Sequence, residues 1–323
     1  MLDDEGLLGN AGNRVQEAEA WSAYIYDRIE FDNWVFTPGL RYEDIDQKRT
    51  RWEIRADQTD DPSSRAPDNL RDTRSNSTDV WLPGLGILYS INPSLSLLGG
   101  VHKGFSAPSN APDVDEEEAI NYELGFRYSG ERLSADVIGF YTNYDNLLGE
   151  CTSSSGSDCE IGDAFNGDAA SIYGIEIEAG MELLPNRSIS MPLQLTYTYM
   201  DAEFDSDIAD TDFFGDVAKG DPLPYIPDHQ MLLTLGLVGG RWSTYLSANY
   251  VDDVCVRPAC GAFEKTDDSL IFDISASYDV SESINLYARV ENLTDEEDLM
   301  ARQPYGARPN KDRNAAVGVR VSF

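Results

Sequence analysis

The sequence predicts an all-β protein, an antiparallel up-and-down transmembrane β-barrel. Two observations predict this fold class. Apolar and polar residues alternate with a period of two along most of the 323 residues, so each extended segment has one apolar face and one polar face. The connections between these segments are alternately short and long, which places the short turns at one end of the sheet and the long loops at the other.

Thirteen segments show this alternation, and many exceed the five or six residues of an ordinary strand. They are predicted at residues 16–31, 34–46, 79–91, 94–105, 119–129, 131–147, 169–184, 188–204, 229–238, 241–254, 268–280, 283–293 and 313–323. In the segment 283–293, Ile284, Leu286, Ala288 and Val290 share one face. A tilted strand crosses a bilayer with about nine to eleven residues, so these lengths fit a membrane wall.

The connections are sorted by length. Short turns are predicted at 32–33, 92–93, 129–131, 185–187, 239–240 and 281–283, and they contain the Asn, Gly, Pro and Ser that tight turns favour. Long polar connections are predicted at 47–78, 106–118, 148–168, 205–228, 255–267 and 294–312. The alternative, a soluble β-sandwich with long loops, has no reason to separate its loops in this way.

The two strand faces have different chemistry. Glu176, Glu178 and Glu182 share one face of their segment, and such a face is costly in a dry core but stable in a wet lumen. The opposite faces are aliphatic, with aromatic residues near the strand ends at Trp21, Trp34, Trp242 and Tyr250. This pattern is typical of a lipid-facing band bordered by aromatic girdles.

Composition excludes several function classes. The formal charge of −34 and the pI near 4.1 argue against a nucleic-acid partner, because a phosphate backbone would be repelled. No apolar run reaches the roughly 18 residues of a transmembrane helix. His102 and His229 lack a nucleophile and carboxylate at a meaningful spacing, so no enzyme, cofactor or metal site is predicted.

The four cysteines form two close pairs, Cys151 with Cys159 and Cys255 with Cys260. Each pair brackets a polar or proline-containing loop, and no histidine lies near either pair. Two loop-closing disulfides in an oxidising compartment are predicted, with free thiols as the alternative.

Three stretches resemble the C-terminal half of a TonB-dependent outer-membrane receptor barrel. The first contains F-x-A-P and E-x-x-N-Y-E-L-G at Phe105, Ala107, Pro108, Glu118, Asn121, Tyr122, Glu123, Leu124 and Gly125. The second is "LSADVIGFYTNYDNLL", and the third contains V-x-N-L-x-D at Val290, Asn292, Leu293 and Asp295 before a terminal aromatic, Phe323. The resemblance covers most of residues 80–323. "DAASIYGIEIEAG", "YIPDHQMLLTLGL" and "RQPYGARPNKDR" resemble the ferric-citrate-type branch most.

This resemblance implies a barrel of about 22 strands with a plugged lumen. Residues 1–323 are then expected to be one partial barrel domain, with 1–15 as the remnant of an external loop and the plug outside the chain. The implied function is TonB-dependent uptake of a ferric siderophore or a ferric citrate-like chelate across the outer membrane of a Gram-negative bacterium. The alternative is a passive porin or adhesin-like barrel.

The resemblance also implies partners. These are outer-membrane lipid and lipopolysaccharide, the ferric chelate as transported ligand, and the TonB complex through the missing N-terminal region. The barrel assembly machinery is a further partner, because Phe323 resembles the terminal aromatic that serves as an insertion signal. No cofactor is implied.

Basic residues concentrate in two of the long connections, and six of them are candidate ligand-binding residues. They are Arg49, Arg51 and Arg55 in 47–78, and Arg302, Arg308 and Lys311 in 294–312. Because guanidinium groups pair bidentately with carboxylates, we predict that they contact the anionic chelate. The alternatives are pairing with interleaved acids or with lipopolysaccharide phosphate. The resembled branch has a similar R-x-P-x-G-A-R-P stretch around Arg302 and Arg308.

Overall fold

The computed structural model confirms the predicted all-β class. It describes residues 13–52, 65, 67, 70–108, 110, 112, 114–150, 164–185, 187–211, 215–258, 260–302 and 306–322. These residues form twenty strands and no α-helix. Accordingly, this part of the chain has no helix long and apolar enough to cross a membrane.

Strand bounds follow the predicted segments closely along most of the chain. In chain order the strands are β1 (Asn13–Tyr26), β2 (Ile29–Phe31), β3 (Trp34–Trp52), β4 (Leu70–Asn92), β5 (Leu95–Ser106), β6 (Glu117–Ser129), β7 (Leu133–Asp145), β8 (Leu148–Glu150), β9 (Ala164–Asn166), β10 (Ala170–Glu182), β11 (Pro192–Phe204), β12 (Ile208–Thr211), β13 (Gly215–Val217), β14 (His229–Val238), β15 (Trp242–Val251), β16 (Ser269–Ser281), β17 (Ile284–Glu291), β18 (Leu299–Ala301), β19 (Arg308–Pro309) and β20 (Asn314–Val321).

Thirteen strands form one sheet in the order β1-β3-β4-β5-β6-β7-β10-β11-β14-β15-β16-β17-β20, and the short β2 also pairs with β3. Every neighbouring pair is antiparallel. The sheet is not closed, because β1 and β20 are its two edges. Three small hairpins, β8–β9, β12–β13 and β18–β19, stand apart from the sheet within its long connections.

The short and long connections lie at opposite ends of the sheet. Asn92 of β4 pairs with Leu95 of β5 across a tight turn, and Ser281 pairs with Ile284 in the same way. The other end holds the connection between β3 and β4 and those that contain the three small hairpins. The predicted sorting of the connections is therefore confirmed, and we refer to the two ends as the short-turn end and the long-loop end.

The register joins the apolar faces of neighbouring strands into one surface. Leu246 of β15, for example, lies opposite Leu235 of β14 and Ile274 of β16. The next residue, Ser247, lies opposite Thr234 and Asp273 on the other face. We call the apolar surface the outer face and the polar surface the inner face. Each strand thus contributes alternate residues to two surfaces of opposite polarity.

Aromatic pairs mark the two borders of the apolar band on the outer face. Trp34 contacts Tyr89 near the short-turn end, with ring centroids 4.5 Å apart. Tyr42 contacts Trp81 towards the long-loop end, at 4.8 Å. Trp34 and Tyr42 share strand β3, and their eight-residue separation spans about 26 Å. Beyond Tyr42 the outer face becomes polar at Asp44. At the strand tilt of about 35–45° in outer-membrane barrels, this length gives a band about 20 Å high, close to their roughly 25 Å apolar band.

Two predicted boundaries near the start of the chain are wrong. Strand β1 begins at Asn13, inside the predicted loop remnant 1–15, and the predicted strand 16–31 is broken between Tyr26 and Ile29. The break lies opposite Pro38 of β3, whose carbonyl accepts a hydrogen bond from the Asp27 amide (3.1 Å). Proline has no N–H to complete that pair, so the ladder is interrupted there.

The predicted long connection 47–78 is also wrong at both ends. Strand β3 continues to Trp52 and β4 begins at Leu70, in register from Arg51 opposite Asp72 onward. These extensions lie beyond the apolar band, and both of their faces carry mostly polar side chains. The extensions of β3 and β4 therefore show no hydrophobic alternation, although their backbones pair as strands.

A small hydrophobic core lies on the inner face at the long-loop end. Ala170, Ala202 and Phe204 of β10 and β11 pack with Val217 and Leu223 from the connection between β11 and β14. Phe204 is 1% exposed. The connection is therefore folded inward over the sheet, and the long-loop end has ordered apolar packing of its own.

Candidate ligand-binding rim

Arg49 and Arg51 lie in strand β3, not in a loop as predicted. Their side chains are on the inner face, where Arg49 lies opposite Arg74 of β4 and Arg51 opposite Asp72. Arg49 is 1% exposed and Arg51 is 9% exposed. Both are therefore covered in this structure, and their contact with a ligand stays a prediction. Arg55 lies outside the described residues.

Arg302 and Arg308 lie at the long-loop end, in the connection between β17 and β20. Strands β18 and β19 pair there, with Ala301 opposite Arg308. The Nε of Arg302 donates a hydrogen bond to the carbonyl of Lys265 (2.6 Å). Arg308 is exposed. The β18–β19 hairpin thus carries both predicted ligand residues, with Arg308 opposite the residue that precedes Arg302.

Lys311, the third predicted residue of this connection, forms an ion pair. Its Nζ lies 2.5 Å from Oε2 of Glu291, and Glu291 also forms an ion pair with Arg289 (3.2 Å). The lysine side chain remains 64% exposed. Pairing with a neighbouring acid, the alternative predicted for these basic residues, therefore holds for Lys311 in this structure.

The two predicted groups of basic residues lie far apart in the sheet. Arg49 and Arg51 are on β3, one strand from the β1 edge, whereas Arg302, Arg308 and Lys311 lie next to the β20 edge. Most strands of the sheet lie between the two groups. The two groups are therefore separate candidates. The β17–β20 connection, which carries three of the predicted residues, is called the rim segment (residues 292–313).

Asn292 anchors the start of the rim segment. Its backbone has a positive φ of 52°, and it is 3% exposed. Its side-chain nitrogen donates to the carbonyls of Glu296 (2.9 Å) and Lys311 (3.1 Å), and its oxygen accepts from the Glu296 amide (2.9 Å). One side chain thus ties the two ends of the rim segment together. The V-x-N-L-x-D motif carried this signal in the sequence.

Neighbouring connections at the long-loop end are joined by hydrogen bonds. Asn76 donates to the Val114 carbonyl (3.0 Å), and Asn166 accepts from the Asp115 amide (2.8 Å). The Tyr225 amide donates to the Cys255 carbonyl (2.8 Å). These contacts link successive connections around the sheet. Sequence patterns did not predict them, because each joins segments that are distant in the chain.

The Cys255–Cys260 disulfide is present as predicted. It closes the β15–β16 connection, where Val254 and Val256 are buried. The predicted Cys151–Cys159 pair lies outside the described residues, as does the predicted insertion signal Phe323.

Charged side chains in and next to this connection shift one another's pKa values. A hydrogen bond from Lys265 Nζ to Oδ2 of Asp253 (2.6 Å) raises the pKa of the lysine ammonium. Partial burial raises the pKa of the Asp228 carboxyl, and the nearby Asp201 and Asp252 carboxylates raise it further. The lysine is therefore held in its charged form beside a cluster of acids.

His229 contacts two tyrosine side chains of β11. Its Nδ1 lies 2.9 Å from the Tyr197 hydroxyl, and its ring lies against those of Tyr197 and Tyr199. Within the described ranges, no group of three or more His, Cys, Asp or Glu side chains is arranged to hold a metal ion.

A family model described as "TonB dependent receptor-like, beta-barrel" matches residues 3–293. The chain belongs to the TonB-dependent receptor β-barrel family. Members of this family lie in the outer membrane of Gram-negative bacteria, so this TonB-dependent barrel is an outer-membrane protein. The proteins that it resembles are receptors and transporters, not enzymes.

Individual receptors and transporters are also similar to this chain. The TonB-dependent barrel is 24% identical over 234 residues to the vitamin B12 transporter BtuB of Photobacterium profundum, in a match that covers 68% of this chain and 35% of the transporter. Among solved structures it is similar to the siderophore receptor PiuA of Acinetobacter baumannii, with a TM-score of 0.74 and 17% identity over 95% of this chain and 44% of the receptor.

The ferric citrate transporter FecA in its unliganded form is similar to a comparable degree. The TM-score is 0.72 and the identity 20%, over 96% of this chain and 46% of that transporter. Identities at this level show a shared fold. The TonB-dependent barrel spans less than half the length of each of these three relatives.

Proposed function

We propose that this chain is the barrel wall of a TonB-dependent receptor that takes up an anionic ferric chelate, either a ferric siderophore or a ferric citrate-like complex. One observation carries the choice of cargo. In a chain with a formal charge of −34, Arg302 and Arg308 both belong to the β18–β19 hairpin at the long-loop end, with Arg308 opposite the residue before Arg302. Guanidinium groups recognise carboxylates and other oxyanions by paired hydrogen bonds.

The proposed uptake route begins at the long-loop end and continues along the polar inner face of the sheet. The long-loop end faces the medium and captures the chelate at the rim segment. The polar inner face then offers a wet wall along which a charged complex can pass without meeting a dry core. Energy for release comes from the TonB complex, acting through a region outside this chain. The relatives include a siderophore receptor, a ferric citrate transporter and a vitamin B12 transporter, so the choice of an anionic chelate over a corrinoid rests on the two arginines.

The remaining partners are proposed from the outer face. Its aliphatic band contacts membrane lipid, and above that band charged side chains such as Lys103, paired with Glu118 at 2.5 Å, lie at the level of lipopolysaccharide. Phe323 is proposed as the terminal aromatic that the barrel assembly machinery recognises. A passive porin or adhesin-like barrel has no comparable support, because the family match covers most of the chain.

Replacing Arg302 and Arg308 together with alanine is expected to weaken chelate binding. A hydrogen bond to a charged group contributes about 1.5–3 kcal/mol, so each arginine that contacts the ligand should account for a loss of roughly tenfold or more in affinity. The measurement is equilibrium binding of ferric citrate, a ferric siderophore and cyanocobalamin to the receptor that carries this barrel.

Arg187→Ala provides the matched control, because Arg187 is an exposed arginine at the short-turn end. It should leave binding of every probe unchanged. Unaltered ferric chelate binding by the double variant would remove Arg302 and Arg308 from the site. Binding of cyanocobalamin alone would replace the proposed cargo with a corrinoid.

A further inference from the structure

The rim segment is attached to the neighbouring β15–β16 connection at its β18 strand. Four hydrogen bonds make this attachment, from Arg302 Nε to the Lys265 carbonyl (2.6 Å), from the Asp267 amide to the Leu299 carbonyl (2.9 Å), from the Leu299 amide to Asp267 Oδ2 (2.8 Å) and from Ser269 Oγ to Asp298 Oδ2 (2.6 Å). The β18 strand is therefore placed by Lys265 and Asp267 of the β15–β16 connection and by Ser269, the first residue of β16.

Residues 254–266 form a closed hairpin, and the disulfide is part of its closure. Cys255, which is bonded to Cys260, also forms an antiparallel backbone bridge with Lys265. The Val256 amide donates to the Glu264 carbonyl (2.8 Å), and the Val254 amide donates to Thr266 Oγ1 (2.9 Å). The carbonyl that Arg302 contacts thus belongs to the residue that pairs directly with a disulfide-bonded cysteine.

From these contacts we infer that the Cys255–Cys260 hairpin is a positioning element for Arg302. A guanidinium group held through its Nε has a fixed plane, and paired recognition of an oxyanion depends on that plane. Fixing the plane before the ligand arrives reduces the side-chain entropy lost on binding. The hairpin contributes to affinity through the orientation of Arg302 and needs no contact of its own with the ligand.

This inference rests on the proposed function for its effect on ligand binding, but the positioning itself can be measured without ligand. A Cys151→Ser/Cys159→Ser variant is used as the background, so that a phosphine reductant acts on Cys255 and Cys260 alone. Reducing the folded protein avoids any dependence on folding without the disulfide. Cys255→Ser/Cys260→Ser in the same background gives a second route to the same state.

The first readout is amide hydrogen exchange at Leu299 and Asp267. Reduction is expected to speed exchange at both amides by about tenfold, the factor that corresponds to roughly 1.4 kcal/mol of lost constraint. Exchange in the distant strand β7 should not change. Equal exchange at Leu299 before and after reduction would overturn the inference, because the placement of β18 would then not depend on the disulfide-closed hairpin.

The second readout is affinity for ferric citrate or a ferric siderophore, measured with and without Arg302→Ala. Reduction should weaken binding about threefold to tenfold when Arg302 is present, and should have no further effect in the alanine variant. An equal loss of affinity with and without Arg302→Ala would overturn the positioning role and indicate that the hairpin contacts the ligand directly. If Arg302→Ala leaves binding unchanged while exchange still responds, the proposed function fails and the hold of the hairpin on β18 stands.

Discussion

Replacing Leu246 with arginine is expected to destabilise the folded barrel by about 2–4 kcal/mol, the cost of a cationic side chain at the lipid-facing midplane of an outer-membrane barrel. Leu246 lies midway between Trp242 and Tyr250 on the same face of β15. Its neighbours across the sheet are Leu235 and Ile274. An arginine at this position therefore has no polar partner within the apolar band.

The adjacent residue gives a matched control. Ser247 is on the inner face and lies opposite Asp273, so Ser247→Arg places the same side chain in a wet lumen beside an acid. Its effect should stay within about 0.5 kcal/mol. Both variants are compared by urea unfolding in lipid vesicles, followed by tryptophan fluorescence. Equal destabilisation by the two variants would contradict the assignment of the faces.

Replacing Asn292 with alanine is expected to destabilise the rim segment by about 3 kcal/mol. The change removes three side-chain hydrogen bonds, each contributing about 1 kcal/mol. It also leaves a residue with a Cβ and no local hydrogen bond at a positive φ. Hydrogen exchange across residues 292–313 measures the effect, because the variant releases the segment at both of its ends.

Two further variants separate these causes. Asn292→Gly tolerates the positive φ and loses only the hydrogen bonds, so its effect should be smaller than that of alanine. Asn285→Ala, on the strand β17 that precedes Asn292, is the matched control, since the Asn285 side chain donates a hydrogen bond to Asp279 (2.7 Å) at an exposed position. An effect of Asn285→Ala as large as that of Asn292→Ala would show that the rim segment does not depend on this anchor.

Within the apolar band, the sequence was enough to predict strands and their facing. Strand β14 was predicted with the bounds that the structure shows, because alternating residues end at Gly239 and Gly240. Beyond the band the same reasoning failed. All five residues from Gln47 to Arg51 are polar, since neither face of β3 meets lipid there, and backbone pairing with β4 makes them a strand.

The candidate site was predictable in part. A concentration of basic residues identified the rim segment, and the V-x-N-L-x-D motif marked its first anchor. The attachment of Arg302 to Lys265 was not predictable, because the two residues are 37 positions apart and meet through a backbone carbonyl that carries no sequence signal. For the same reason the inward core around Phe204 and Leu223 appeared only in the structure.

The most direct test of the membrane-wall architecture is a nitroxide scan along β15, from Trp242 to Val251, in lipid vesicles. Each position is labelled in turn, and its collision rates with oxygen, which dissolves in lipid, and with a water-soluble nickel chelate are compared. We expect a period of two, with oxygen contact highest at Leu246 and Ala248 and nickel contact highest at Ser247 and Asn249. Equal accessibility of both faces to the nickel chelate would contradict a lipid-facing wall.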